Sequence, residues 1–533
     1  MMTRDLMNSG GGVSRRSFLE SLGGMGGSAL LMAGMSALGF GIASANASPP
    51  ALGEGGKGKK VIVLGAGVAG MASAYELSKA GYEVVVVEAR DFAGGRCQTA
   101  RKGFKLTELG GEAQECDFDE GLYINHGPWR IPYHHHSTLH YTKLFNVPLE
   151  VFVNDNDAAY VAFAKGKGPL AGKAIRKGQI AADARGSAAE ILAKQVKQGA
   201  LDQQMTAEDR EKFLAYLTHE GYLNADLAYK GADGRGFDID PGAGLDPGPG
   251  RMSTPFALTD VMQSNAWRVL TSVAGYEQQR TMFQPVGGMD QIAKGFERQI
   301  GQLIRYSTVV KRYRQNDKGV EVTVAGPGGK TETLKADYCI CTIPLSVLRQ
   351  MDIGVSKMFK EAIGAVSYAL VGKIGLQMKT RFWEEKHSIY GGHVYTDNPE
   401  INTITLPSTG FQSQKGVLLG YYNFGASAAK VSALSPKARQ DFAAQGGKVA
   451  FPEYADNVET SFSAAWHRIE HNLGGWAEWN EESRRDAYPV LCEPDGRLYL
   501  AGEHLSYLTG WQAGGIESAW QQIAKLHKRA QAA

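Results

Sequence analysis

An α/β fold, with a discontinuous Rossmann-like domain, a mixed-sheet domain and a helical insertion, is predicted for this 533-residue chain by three observations. Residues 60–96 carry a strand, a glycine-rich turn, a helix and a second strand in register. An apolar strand pattern recurs mid-chain in ADYCICTIP and again near the C-terminus in RLYLAGEHL, where a loop and a closing helix follow. Between them lie helical and sheet-like stretches, so the first domain draws on 58–100, 280–345 and 485–533. Residues 101–165 and 346–484 form the mixed-sheet, substrate-side domain, and 166–279 the insertion.

Near the N-terminus, residues 14–19 read SRRSFL, the pattern of a twin-arginine export signal, and a weakly apolar stretch follows to about residue 42. Seven glycines between positions 23 and 41 make that stretch a poor spanning helix, so no stable membrane anchor is expected. Ala45-Asn46-Ala47 is a small-residue cleavage site, with Ser48-Pro49-Pro50 opening the mature chain. Residues 1–47 are therefore expected to be a signal peptide cut after Ala47, read by the twin-arginine machinery and directing the protein to the periplasm or beyond.

The next unit is KVIVLGAGVAGMASAYELSKAGYEVVVVEARDFAGGR. Its apolar, β-branched residues 61–64 lead into Gly65, Gly67 and Gly70, spaced G-x-G-x-x-G. Gly65 permits the tight turn, Gly67 lets a pyrophosphate approach the backbone, and Gly70 lets the helix pack close to the strand. The helix N-terminus offers free N–H groups to phosphates. Glu88, ending the second strand, is placed to accept hydrogen bonds from a ribose hydroxyl.

Residues 97–160 read as short strands and loops, and helical patterning prevails from about 169 to 227. The Gly/Pro/Asp-rich KGADGRGFDIDPGAGLDPGPG lacks calcium-loop spacing and is expected to be an irregular surface or lid loop. A helix is expected over about 258–274, paired strands around 308–315 and 319–325, and an alternating sheet over 364–425.

Composition narrows the function classes. A hydrophobic content of 43% and a charged content of 21% describe an ordinary globular protein, and a net charge of +2 points to neither nucleic acid nor an anionic membrane as partner. Five cysteines are too sparse and uneven for a disulfide framework. Cys339 and Cys341 share one face of a strand and, with no second pair at metal spacing, are expected to pack. His134, His135 and His136 with His140 call for a metal test. His136 and His140 could share a helix face, but nothing nearby completes a site, so no metal is expected.

Further segments carry cofactor chemistry. Gly94-Gly95-Arg96 lets a second loop press on the pyrophosphate and adds a cation. Ala501-Gly502-Glu503 follows the C-terminal strand, and Gly510-Trp511-Gln512-Ala513-Gly514-Gly515 opens the final helix. That helix N-terminus would stabilise negative charge on a reduced isoalloxazine ring, with Glu503 on the ribityl chain.

Over nearly all of 60–530 the chain resembles the flavin amine oxidases, and within them the L-amino-acid oxidases. The resemblance rests on the opening fingerprint, GGR at 94–96, GPWRIP at 127–132, QPVGGMDQIA at 284–293, GKIGLQMKTRFWE at 372–384, YGG at 390–392 and AGEHLSYLTGWQAG at 501–514. It implies FAD as cofactor, with Gly127, Pro128 and Trp129 passing beside the flavin and Val68, Ala69, Ala89, Val310, Gln512 and Ala513 completing its contacts. Flavin attachment should be non-covalent, because residues 504–510 lack the cysteine that covalent members use.

For the substrate, the resemblance implies that Arg130 forks two hydrogen bonds onto a carboxylate. Tyr421 would add a hydroxyl, although a one-residue slip would exchange it with Tyr422. Gly510 would offer its carbonyl to the amine, Trp511 an aromatic wall, and Trp476 a side-chain pocket. Lys373 would hold a water against the flavin and assist oxygen. The expected reaction is oxidative deamination of an L-amino acid by hydride transfer, with oxygen as acceptor. The products would be a 2-oxo acid, ammonia and hydrogen peroxide. The rivals are tryptophan 2-monooxygenase, an amine oxidase on substrates without a carboxylate, and a non-catalytic flavin-binding protein. Trp129 and Trp476 hint at large apolar or aromatic substrates, and the family also allows a homodimer.

Overall fold

The computed structural model describes residues 48–532; the expected export signal and its cleavage site lie outside the described residues. A five-stranded parallel sheet runs in the order Ile304–Arg305, Glu83–Val87, Lys60–Leu64, Tyr338–Cys341, Leu498–Leu500. Alternation along its strands feeds two cores. Val61, Val63, Tyr338 and Ile340 enter one, beneath the Val68–Lys79 and Gln512–Ala532 helices. Ile62, Leu64, Cys339 and Cys341 enter the other. Both cysteines are buried free thiols and fill that core.

Glycines bring this sheet to its ligand-facing edge. Gly65 has φ +99°, and a Cβ on Gly70 would lie 2.0 Å from the Gly65 carbonyl oxygen. The Val68–Lys79 helix therefore starts directly against the strand that precedes it. Its N-cap residue, Gly67, places no side chain over the first amides. The second glycine turn meets the first: Gly94 N donates to Ala66 O at 2.8 Å, and a Cβ on Gly95 would stand 3.1 Å from Gly67 Cα.

The second layer is a seven-stranded mixed sheet ordered Val458–Ala465, Val371–Met378, Gly416–Phe424, Thr403–Leu406, Gly392–Thr396, Tyr160–Ala162, Ala174–Arg176. Its Val371–Met378 strand is buried at every position rather than on alternate ones. One face packs on the Gly425–Ser432 and Pro436–Gly447 helices, and Gly375 on the other meets Ile124. The two longest helices within residues 166–279 are Lys177–Lys197 and Ala207–Glu220.

Three local expectations are corrected. The stretch 97–160 contains a helix, His136–Leu144. The glycine-rich loop holds a short antiparallel pair, Phe237–Ile239 with Arg251–Met252, because its β-branched and apolar residues pair across the turn residues. The helix expected over 258–274 stops at Ser264, where Asn265 adopts φ +60° and ends it, and only a 3₁₀ turn, Ala266–Val269, follows.

Gly70→Ala should push the helix off the strand at a cost of about 1–3 kcal/mol. The measurements are the denaturant midpoint and flavin affinity, and both should fall together.

Candidate active site

Where the parallel sheet meets the mixed sheet lies a cavity of about 680 Å³. Its wall includes Gly65, Gly67, Val68, Ala69, Glu88 and Ala89 from the first unit, then Arg96, Gly127, Pro128, Trp129, Arg130, Val310 and Lys373, and finally Trp476, Glu503, Gly510, Trp511 and Gln512. Three expected residues are not on the wall. Gly70 serves packing, as its Cβ distance shows. Ala513 is fully buried behind the start of its helix.

Tyr421 is the third, and the reason is strand parity. Lys373 pairs with Tyr422 and Ile374 with Tyr421 across the antiparallel ladder, so each pair shares a face. Lys373 and Tyr422 face the cavity. Ile374 and Tyr421 face the helical core behind the sheet. A register shift between Ile374 and Gly375 sets which parity holds at this end of the strand. Tyr422 therefore replaces Tyr421 as the site tyrosine.

The dinucleotide end is built for a nucleotide's hydroxyls and phosphates. Glu88 is buried, and its carboxylate accepts from Ala66 N at 2.8 Å and Arg90 N at 3.0 Å, which orients it over the glycine turn. No Cβ or capping side chain crowds Gly67, so helix amides and the glycine backbone remain for a pyrophosphate. Arg96 lines the cavity, but it is not a free cation: its Nη1 donates to Glu503 Oε1 at 2.7 Å and to Gly475 O at 2.8 Å. Glu503 in turn accepts from the backbone N–H groups of Ala477 and Gly510. This donor set suits FAD.

At the far end Arg130 is the dominant charge. Nη2 donates to Gln278 Oε1 at 3.0 Å, Nη1 stands 3.4 Å from His393 Nε2, and Nε is buried without a partner. Trp129 lies under the guanidinium, 5.1 Å from ring centre to Cζ. No carboxylate pairs with Arg130 among the described residues. Burial pushes its pKa down to about 10, partly offset by Tyr422 and Tyr395. His393 is held neutral for the same reason, since burial, then Arg130 and Lys177, drive its pKa well below the usual value. Its ring is fixed by Thr405 at 2.6 Å and Asn154 at 3.1 Å.

Lys373 donates to Gly127 O and sits between two rings, 4.6 Å from the Trp129 centroid and 4.5 Å from that of Tyr422. Burial, reinforced by Arg130, holds its pKa well below the ordinary lysine value. Tyr422, Phe424 and Trp476 continue as an aromatic wall, with centroids 4.5 and 6.0 Å apart. Trp511 closes another side.

Gln278 and His393 escaped the reading of the sequence. His393 directly follows the YGG motif and so had a local marker. Gln278 had none, because only the fold carries it to Arg130.

The architecture and the cavity together define a dinucleotide-binding oxidoreductase. The flavin-containing amine oxidoreductase family matches residues 68–522, and the chain belongs to that family. A flavin-dependent L-tryptophan oxidase, RebO, from Lentzea aerocolonigenes is 29% identical over 88% of this chain and 98% of its own. An L-amino-acid oxidase from Protobothrops flavoviridis is 26% identical over 86% of this chain and 87% of its own. Among solved structures, cyclohexylamine oxidase from Brevibacterium oxydans superposes with a TM-score of 0.58 at 16% identity, covering 88% of this chain and 99% of that one. At that identity the likeness speaks to the fold alone. The chain is a flavin-dependent oxidoreductase.

Arg96→Met should leave the buried Glu503 carboxylate without its cation and cost about 3 kcal/mol. Chemical denaturation of the flavin-free protein isolates that loss from any change in flavin binding.

Proposed function

We propose that this protein is an FAD-dependent L-amino-acid oxidase, producing 2-oxo acids, ammonia and hydrogen peroxide. One observation carries the reading: Arg130 is a half-buried guanidinium on the cavity wall with only neutral partners, and its Nε is buried without one. A partly desolvated cation without a counter-ion favours an anionic ligand. A substrate carboxylate would take the place of the Gln278 oxygen on Nη2 and fork onto the guanidinium. Tyr422 lines the same cavity, its ring 5.4 Å from that of Trp129, and its hydroxyl would share the carboxylate. The relatives named as oxidases of L-tryptophan and L-amino acids agree with this reading.

Bound FAD would supply the redox chemistry, a hydride acceptor for the substrate Cα–H and an electron donor to oxygen. The protein's share is positioning and charge. Arg130 and Tyr422 anchor the carboxylate, and the Gly510 carbonyl receives the amine, which must be neutral for its lone pair to assist. Trp476, Trp511 and Phe424 offer large apolar surface, which favours aromatic or bulky aliphatic side chains. Lys373 lies where its ammonium can hold a water and offset negative charge developing on oxygen.

Flavin attachment is read as non-covalent. Cys97 is the one cysteine on the cavity wall, and burial drives its thiol far up, away from the reactive thiolate. Its sulfur is occupied by Met289 O at 3.1 Å and the Gln512 amide at 2.9 Å. The SRRSFL segment supports export of the folded protein through the twin-arginine route.

The deciding assay is peroxide release on L-amino acids and on the matching decarboxylated amines, with products identified by mass. Peroxide and 2-oxo acid from the amino acids alone are expected. Amide with carbon dioxide would make the protein a monooxygenase, and turnover of the amines would remove the role of Arg130. Arg130→Met should lower kcat/KM for amino acids by about 100-fold or more, since two charge-assisted bonds are lost. Tyr422→Phe should cost about tenfold, while Tyr421→Phe should stay within about twofold.

Lys373 makes a pH prediction. Its ammonium is present below the lowered pKa and is lost as pH rises through it. Stopped-flow reoxidation of the reduced flavin by oxygen should therefore slow as pH rises. Lys373→Met should be slow throughout and should lose that pH dependence.

A further inference from the structure

Beside the cavity, three ligand atoms converge for which the proposed reaction has no use. His134 and His135 precede the His136–Leu144 helix, and His135 is its N-cap residue. Glu277 comes from the segment leading into the Thr281–Pro285 strand. Its carboxylate spans both rings, with Oε1 3.3 Å from His134 Nε2 and Oε2 2.9 Å from His135 Nε2. The rings stand edge to face at 4.7 Å between centroids, and all three ligand atoms lie within 4.8 Å of one another.

These separations fit a small tetrahedral ion. Bonds of about 2.0–2.2 Å put neighbouring ligand atoms roughly 3.3–3.5 Å apart, so the three ligand atoms, now within 4.8 Å of one another, would draw together around the ion. The histidine side chains are 8% and 2% exposed and that of Glu277 is 31% exposed, which leaves approach open on the carboxylate side. Tyr276 covers the His134 ring at 4.1 Å and Trp511 meets the His135 ring at 4.9 Å, so both imidazoles are held in place.

We infer that His134, His135 and Glu277 form a binding site for a divalent first-row transition metal, zinc foremost, with its fourth position open to water. Two imidazoles and one carboxylate suit zinc, cobalt or nickel better than magnesium or calcium, which prefer all-oxygen shells. Binding through Nε2 leaves each ring's proton on Nδ1. For His134 that atom lies 3.4 Å from the Gln279 amide, whose oxygen is buried without a partner. A turn of that amide would give the proton an acceptor. The site adjoins the substrate end of the cavity through Trp511 and through Gln278, the residue after Glu277.

The test uses untagged, flavin-loaded protein stripped with a chelator and titrated with zinc against a chromophoric competitor. One equivalent should bind, with a zinc-edge absorption spectrum showing two imidazole ligands. Glu277→Gln and His135→Asn should each weaken binding by at least about tenfold, while His136→Gln should not. Flavin content and circular dichroism identify variants that fail to fold. Wild-type protein that takes up no zinc, or ligand variants that bind as tightly as wild type, would overturn the assignment. Neither result depends on what the enzyme oxidises.

Discussion

A guanidinium half withdrawn from water without a counter-ion is held by the groups that surround it, and Arg130 is in that position. Trp129 lies under it, Gln278 supplies a neutral acceptor, His393 Nε2 stands 3.4 Å from Nη1, and Nε has no partner. Each neighbour comes from a different part of the fold. Gln278 lies at the end of the 166–279 insertion, His393 sits on the mixed sheet, and Trp129 and Arg130 ride on the segment leading from the glycine turns. A displacement of either sheet would break this arrangement. Burial first, and then the same cation, lowers the pKa values of Lys373 and His393.

The other end depends on backbone rather than on charge. Gly67 and Gly95 approach across two turns, and a Cβ on Gly95 would stand 3.1 Å from Gly67 Cα. Arg96 pairs with Glu503, which also collects two backbone N–H groups. The pair ties the start of the chain to its end, much as the parallel sheet does by interleaving strands from residues 60–87, 304–341 and 498–500. The nucleotide end is thus a rigid frame against which the mixed sheet sets the substrate end.

Local patterns were legible because local physics decides them. Strand periodicity, the glycine spacing and the acid after the second strand all act within a few residues of one another. The same is true of Cys339 and Cys341, whose shared face follows from a period of two. Patterns failed where one residue changes the outcome. Asn265 halts a helix through a single left-handed conformation, and apolar residues within a glycine-rich stretch pair once the turn brings them together.

By itself, the sequence determined the α/β class and the dinucleotide unit, because strand, glycine spacing, helix and acid are written in contiguous residues with a fixed geometric period, whereas Arg130 was singled out by the resemblance of GPWRIP to the flavin amine oxidases. Tertiary structure alone decided between Tyr421 and Tyr422, because parity at that point depends on a register shift in the partner strand. It also decided that Gln278 reaches Arg130 and that Glu277 joins His134 and His135, residues more than a hundred positions away. Such meetings are set by how sheets and loops pack, and no spacing within the chain encodes them.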